Sequence, residues 1–484
     1  MSEAPKLAPS ILVIFGITGD LAKRKVLPAL YHLTKDNLIP EGTKIIGISR
    51  RETPIQNVLN TVDLCIQEEG NICDPVVISR LNKMLSMFKL DPLIESDYNG
   101  LKTYLDKIEL ESGLCLDRLF YLSIPPQVYN QVIERLGNSG LNRSCVHSDN
   151  NPAKVRLLVE KPFGFDVPTA EELIANTSKV FSESQTFRID HYLAKETAQN
   201  ILKFRRHNPL FASQWDGRHI SAIHVIAKEK IGIENRVNFY EQVGALRDLV
   251  QSHLLQLLSL TAMDMPENLT AKEVHAAKLA FMSSLVPPSD GVGIKYQARR
   301  GQYRTYRKEV SNPHSNVETF ASIVLRSRDP NWNGALFQLT TGKSLDEKVT
   351  IIKVYFGDEN PNVFSFRIQP DEGVDIDLLI EQPGFKRDLR KVKMTFRYEQ
   401  DFGDSSNHQA YERVLVDAIR GDHLLFATKE EVMASWHLLQ PVISRWEADS
   451  KDLEMYDNGS AGPDVSRMPK AFMTKLKAGG KISQ

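Results

Sequence analysis

The hydrophobic pattern changes its period once along this chain, and that change limits what the chain can fold into. Before about residue 187 the apolar runs are short and nearly continuous, at 11–15, 44–48, 119–122 and 155–159. Strands buried on both faces of a parallel sheet read this way. Helical stretches such as 21–35 and 127–136 separate them, and alternating β and α units imply a doubly wound sheet. Later, apolar and polar residues alternate strictly at 392–398, and Val374, Ile376, Leu378 and Ile380 share that period of two. Further strands are expected at 220–226, Phe320–Leu325, Val349–Phe356 and 363–368, with helices at 240–263 and Ala410–Arg420. Period-two strands in series indicate an antiparallel sheet with one packed face. The expected fold class is α/β joined to α+β. Residues 1–187 form a Rossmann-like, doubly wound parallel sheet, and residues 188–484 an α+β domain with a large, mostly antiparallel sheet.

A chain of 484 residues, 42% hydrophobic and 25% charged, buries a sizeable core without disulfides or metals, which excludes disordered, collagen-like and disulfide-scaffold readings. Sixty basic residues stand against 61 acidic ones. A nucleic-acid binder needs a basic surplus or stripe to neutralise phosphates; nucleic acid is therefore not expected as a partner, while a small phosphorylated metabolite stays open. Cys65, Cys73, Cys115 and Cys145 include no C-x-x-C pair, and no Cys/His cluster has zinc spacing. Reduced thiols, no metal and a cytoplasmic location are expected. The longest strongly apolar stretch, 254–263, is too short to span a bilayer. The run at 11–15 enters Gly16 without a cleavage site, so neither a membrane segment nor a signal peptide is expected.

The first apolar run leads into Gly16-Ile17-Thr18-Gly19-Asp20-Leu21-Ala22 and then a helix. A strand, a glycine turn and a helix N-terminus can cradle a pyrophosphate: Gly16 permits the turn, Gly19 lets backbone approach, and free N–H groups face the anion. The next strand ends in Arg50-Arg51, where an acidic residue would take the ribose hydroxyls of NAD; arginine suits the 2′-phosphate of NADP or a solvated surface equally. Asp190, His191, Tyr192 and Lys195 stand at the start of an expected helix, with His191 and Lys195 four apart on one face. They fit a phosphate clamp, or an N-cap and a solvated face. His253 lies on the stripe Leu246, Val250, His253, Leu257; a histidine there is a satisfied core residue or a general base. Asp248, five residues away, falls on another side of an α-helix. Glu160-Lys161-Pro162 follows a strand, where ligands bind in open α/β sheets.

Together GITGDLAKRK (16–25), EKPFG (160–164), RIDHYLAKE (188–196), RDLVQSHLLQ (247–256) and the looser GKSLDEK (342–348) resemble the glucose-6-phosphate dehydrogenase family, from residue 11 to about 446. RIDHYLxKE is the most specific anchor; the glycine turn and EKP are shared more widely. The resemblance implies oxidation of C1 of D-glucose 6-phosphate to 6-phosphoglucono-δ-lactone with hydride transfer to NADP, NAD being a poorer alternative, as the first step of the oxidative pentose phosphate pathway. It makes His253 the general base and Asp190 its carboxylate partner. His191, Tyr192 and Lys195 would hold the 6-phosphate. Lys161, Glu229, Asp248, Lys343, Lys348 and Gln369 would bind sugar hydroxyls or the phosphate rim. Gly16, Thr18, Gly19, Asp20, Leu21, Lys25, Arg50 and Lys161 would meet the cofactor. Eukaryotic relatives hold a second, structural NADP with basic side chains; Thr340 and Val349 stand where such bases would be expected, although Arg367 remains, and a second site is not expected. Ala194 replaces a glycine common in the family, a change favourable in a helix. A homodimer or homotetramer built on the large sheet is also implied.

Two other readings fit parts of the chain. One is a sugar oxidoreductase acting on an unphosphorylated sugar, whose family also pairs a Rossmann domain with EKP and a sheet but lacks RIDHY. The other is a sugar-phosphate or NADP sensor on a dehydrogenase scaffold, disfavoured because both His253 and Asp190 are present.

Overall fold

Every residue of strands β1 (Ser10–Phe15) and β5 (Val155–Glu160) is buried, as their continuous apolar character requires. With β2 (Lys44–Ser49), β3 (Leu85–Lys89), β4 (Asp117–Leu122) and β6 (Thr186–Ile189) they form a parallel sheet in the order β6-β5-β4-β1-β2-β3, extended beyond β6 by the antiparallel pair Phe426–Ala427. The order reverses at β1, which lies between β4 and β2, and in open α/β sheets ligands bind outside the strand ends at such a point. The computed structural model describes residues 7–68, 70, 72–143, 153–234, 236–289, 293–357, 362–383, 385, 388–403 and 409–478. Of these, the residues within Met1–Gly164, Pro168–Ala194 and His408–Lys429 form one unit and the remainder a second. The helix Ala410–Arg420, expected among those of the later sheet, groups instead with the first unit, where Val414, Leu415 and Ala418 share a core with Leu30, Tyr31 and Leu119. Periodicity shows which face of a helix is apolar but not which sheet it covers.

The second unit holds a nine-stranded sheet. Its strands are β7 (Ile220–Lys228), β8 (Ala298–Tyr303), β9 (Phe320–Leu325), β10 (Leu336–Gly342), β11 (Val349–Phe356), β12 (Asn362–Gln369), β13 (Gly373–Glu381) and β14 (Leu389–Arg397), in the order β14-β13-β12-β11-β7-β10-β9-β8, with Leu453–Tyr456 beyond β8. Two pairings are parallel, β7 with β10 and Leu453–Tyr456 with β8; the others are antiparallel. This is the expected mostly antiparallel sheet. The outer strand β14 is exposed over most of its length.

Two local expectations change. The stretch 240–263 is not one helix: Gly244 at φ 64°, ψ 178° breaks it, and a wider-wound segment, Leu246–Leu254, joins Val237–Ala245 to Leu255–Ala262. Cys65 and Cys73 form no disulfide, but Cys115 is disulfide-bonded, which corrects the expectation of reduced cysteines throughout. Spacing without a C-x-x-C motif does not exclude a bond formed by tertiary approach. Cys145 and the loop at 148–152 lie outside the described residues. Among those described, no helix is long and apolar enough to cross a membrane, and no cluster of three His, Cys, Asp or Glu could hold a metal.

Candidate active site

In the first unit the glycine turn sits at the reversal point of the sheet. Gly16 has φ 76°, and its N–H donates to the Ile48 carbonyl at 3.2 Å. A Cβ there would lie 2.3 Å from the Ser123 carbonyl oxygen, so only glycine fits between the ends of β1 and β4. Gly19 donates to the Gly16 carbonyl at 2.8 Å, closing the turn. Thr18, Asp20 and Lys25 are exposed and Leu21 half-buried; the Asp20 carboxylate pairs with Arg24 at 2.9 Å. Beyond β2, Arg50 and Arg51 are exposed and, among the described residues, neither makes an ion pair. Ser49 folds the chain after β2 by accepting the Arg51 N–H at 3.3 Å and the Thr53 hydroxyl at 3.2 Å. A narrow backbone cradle at the reversal point of the sheet suits the pyrophosphate of a dinucleotide.

Lys161 follows the buried end of β5, and the Lys161–Pro162 bond is cis. Beside it Glu160 is buried under three tyrosines. Tyr121 donates to its carboxyl at 2.5 Å, Tyr129 to its carbonyl at 3.2 Å, and Tyr411 also bonds the carboxyl. Burial pushes this carboxyl up to about 7, Asp190 adding to the rise while the tyrosine bonds and Lys161 oppose it. Residues of four separate elements make this box, and no spacing in the sequence announced it.

The RIDHY segment differs from its expected form. β6 ends at Ile189, residues 190–195 are a turn, and the helix starts at Glu196 with Lys195 as its N-cap. His191 and Lys195 therefore do not share a helical face, and Ala194 is a buried turn residue rather than a helical one. Asp190 is not an N-cap. Its buried carboxylate accepts the Tyr192 N–H at 2.9 Å, which folds the turn over its own side chain. The His191 ring lies 4.9 Å from Tyr192 and stacks at 6.2 Å on Tyr411.

In the second unit, parallel pairing of β7 and β10 places Lys228 opposite Gly342, and so brings the residues that follow, Glu229 and Lys343, side by side. The Lys343 ammonium is buried, ion-paired with Glu229, 4.0 Å from Asp248 and 5.3 Å above the Tyr240 ring. Two expected substrate carboxylates, Glu229 and Asp248, thus converge on a third expected residue, the Lys343 cation, with Tyr240 as an unexpected fourth member. Lys195 has a separate partner: Glu372, at 3.7 Å, which also accepts from the Thr197 N–H at 3.2 Å and hydroxyl at 3.0 Å. Gln369, three residues before Glu372, donates to Thr350 at 3.1 Å. Lys348 is exposed and joins none of these contacts.

His253 is fully buried on the segment Leu246–Leu254, which also carries the buried Asp248. Five positions fall on different sides of an α-helix, but i→i+5 winding returns them close to the same side, which corrects the expected separation. Asp190 belongs to the first unit and His253 to the second.

Residues 13–200 match "Glucose-6-phosphate dehydrogenase, NAD binding domain" and residues 202–472 match "Glucose-6-phosphate dehydrogenase, C-terminal domain". The glucose-6-phosphate 1-dehydrogenase of Chlamydia pneumoniae is 37% identical, covering 94% of this chain and 93% of its own. A solved glucose-6-phosphate dehydrogenase in complex with glucose-6-phosphate superposes with a TM-score of 0.87 at 27% identity, covering 99% of this chain and 100% of its own. The Mycobacterium avium glucose-6-phosphate 1-dehydrogenase structure gives 0.80 at 28% identity, covering 99% of each chain.

Proposed function

The chain belongs to the glucose-6-phosphate dehydrogenase family, and on that premise we propose His253 as its general base, Asp190 as the carboxylate partner of that base, and NADP as its preferred cofactor. The reaction is oxidation of C1 of D-glucose 6-phosphate to 6-phosphoglucono-δ-lactone, the first step of the oxidative pentose phosphate pathway. A bound nicotinamide supplies the hydride acceptor. The chain's own residues must bind an anionic sugar, orient its C1 and take the hydroxyl proton as the carbonyl forms.

The observation that carries this reading is the convergence of Lys343, Glu229 and Asp248, with Asp248 on the same short segment as His253. Carboxylates accept from sugar hydroxyls and the ammonium donates, so the group can bind several hydroxyls at once. On this reading His191, Tyr192 and Lys195 hold the phosphate, Lys195 exchanging Glu372 for it. Lys161 and Gln369 bind sugar hydroxyls or the phosphate rim, Lys161 also facing the cofactor, and Lys348 is the weakest member of the set. Gly16, Thr18, Gly19, Asp20, Leu21 and Lys25 form the cofactor cradle, Asp20 through its backbone because its carboxylate is engaged with Arg24. A homodimer or homotetramer fits the exposed Leu379, Ile380, Leu389 and Met394 on β13 and β14. Cytoplasmic residence goes with the reading, although the Cys115 disulfide speaks for an oxidising environment.

Reduced-nicotinamide absorbance with glucose 6-phosphate, and NADP⁺ or NAD⁺ in parallel, tests the assignment. Turnover that requires the 6-phosphate and runs faster with NADP⁺ is expected; binding of both ligands without turnover would return the chain to the sensor reading. Arg50→Ala removes a charge-assisted contact to the 2′-phosphate and should weaken NADP about tenfold more than NAD. Equal losses for both cofactors mean that Arg50 faces elsewhere. Lys195→Ala should raise KM for the sugar phosphate roughly tenfold with kcat within a few-fold, because a phosphate contact far from C1 is uniform binding. A loss confined to kcat would remove Lys195 from the phosphate site.

A further inference from the structure

The segment bearing Asp248 and His253 begins without a cap of its own: its N-cap is Ala245, which offers no side-chain acceptor. The N–H groups at a helix start need partners from elsewhere. Glu318, just before β9, supplies two. Its carbonyl accepts the Ala245 N–H at 2.9 Å and its carboxylate accepts the Leu246 N–H at 3.0 Å. The fit is close: a Cβ on Gly244 would lie 2.5 Å from the Glu318 carboxylate, so the glycine at the helix break makes room for the cap. The carboxylate is buried, where a negative charge meets the positive end of the segment. Burial pushes it up, while the Leu246 N–H, Arg247 and Arg300 pull it back.

The neighbouring residue ties the same point to the sugar-binding cation. The Thr319 carbonyl accepts the Lys343 N–H at 2.9 Å, and Tyr456 donates to the Lys343 carbonyl at 2.7 Å and bonds the Thr319 hydroxyl at 2.8 Å. Glu318-Thr319 thus joins the backbone of Lys343 to the start of the segment that carries Asp248 and His253.

We propose that Glu318 is a positioning residue for the general base, a cap from another element that fixes where His253 and Asp248 stand relative to Lys343. The proposal rests on the assignment of His253 as base. Its basis is geometric: a catalytic group displaced by about an ångström can lose 10²-fold in rate.

The test compares Glu318→Met, which keeps the volume and removes the acceptor, with Glu318→Gln, whose amide oxygen can still accept the Leu246 N–H. Glu318→Met should lower kcat about 10- to 100-fold while NADP affinity stays within about twofold, and Glu318→Gln should keep kcat within about threefold. Placing Glu318→Met in a His253→Asn background should cost no more than about a further twofold, since a group acting through the base has nothing left to position. A full multiplicative loss in the double variant, or wild-type kcat in Glu318→Met, overturns the proposal. If Glu318→Met does not fold, Glu318→Ala replaces it in both backgrounds, with the same expected and overturning outcomes. His253→Asn measured by itself separates the two questions, because near-full turnover there removes the base assignment whatever Glu318 does.

Discussion

His253→Asn will lower kcat by about 10²–10⁴-fold and leave KM for glucose 6-phosphate within a few-fold. As hydride leaves C1, positive charge develops on that carbon unless the hydroxyl proton departs with it. A base within hydrogen-bond reach is therefore used in the transition state and hardly at all in the ground state, which places its loss in kcat. Asparagine preserves polarity and approximate size but cannot take a proton near neutral pH. The position admits no substitute from solvent, because His253 is fully buried. Initial rates across sugar-phosphate concentration, with either cofactor saturating, separate kcat from KM. Near-full turnover would make His253 a satisfied core histidine, and would move the base to another residue. A large KM rise with intact kcat would make it a binding group.

The parts of the fold that were legible in the sequence are those set by local pattern. Continuous apolar runs marked β1, β2, β4 and β5, and period two marked β13 and β14. β3, β6, β8, β10, Phe426–Ala427 and Leu453–Tyr456 are not among the strands that the pattern marks. β8 is Ala-Arg-Arg-Gly-Gln-Tyr, whose arginines and glutamine mask any apolar period. The pattern runs on through Gly244 because a single glycine is tolerated in a helix, and the clash that makes it obligatory comes from Glu318, far away in sequence. The site was legible as residues but not as contacts. Glu229 and Lys343 meet only because β7 and β10 run parallel, and Lys195 finds Glu372 across 177 positions. Tyr240, Glu318 and the tyrosines around Glu160 belong to no motif, so only tertiary approach identifies them.

A second large effect concerns stability rather than rate. Lys278 and Glu431 are both fully buried and 3.0 Å apart; His275 bonds the other carboxylate oxygen at 2.9 Å, and Gln256 donates at 3.2 Å. Burial alone would raise the Glu431 carboxyl, but Lys278 and His275 outweigh it and hold the group down, from 4.5 to about 2. A depressed carboxyl stabilises the fold above its unfolded value and loses that contribution as pH falls. This site should therefore weaken the protein between pH 4.5 and about 2, by up to about 3 kcal/mol. Glu431→Gln leaves the Lys278 ammonium buried without a counter-charge, which costs about 3–5 kcal/mol and should lower the unfolding midpoint of this unit by about 10 °C at neutral pH. Lys278→Met/Glu431→Gln removes both charges and keeps an acceptor for His275, so most of the loss should return. The outcome separates a paired-charge effect from mere loss of packing. If the double variant melts as low as Glu431→Gln, the side-chain shapes matter and the charges do not. Recovery to within about 1 kcal/mol of the parent means that the penalty was the orphaned ammonium, and the acid-dependent step below pH 4.5 should then shrink in the same variant.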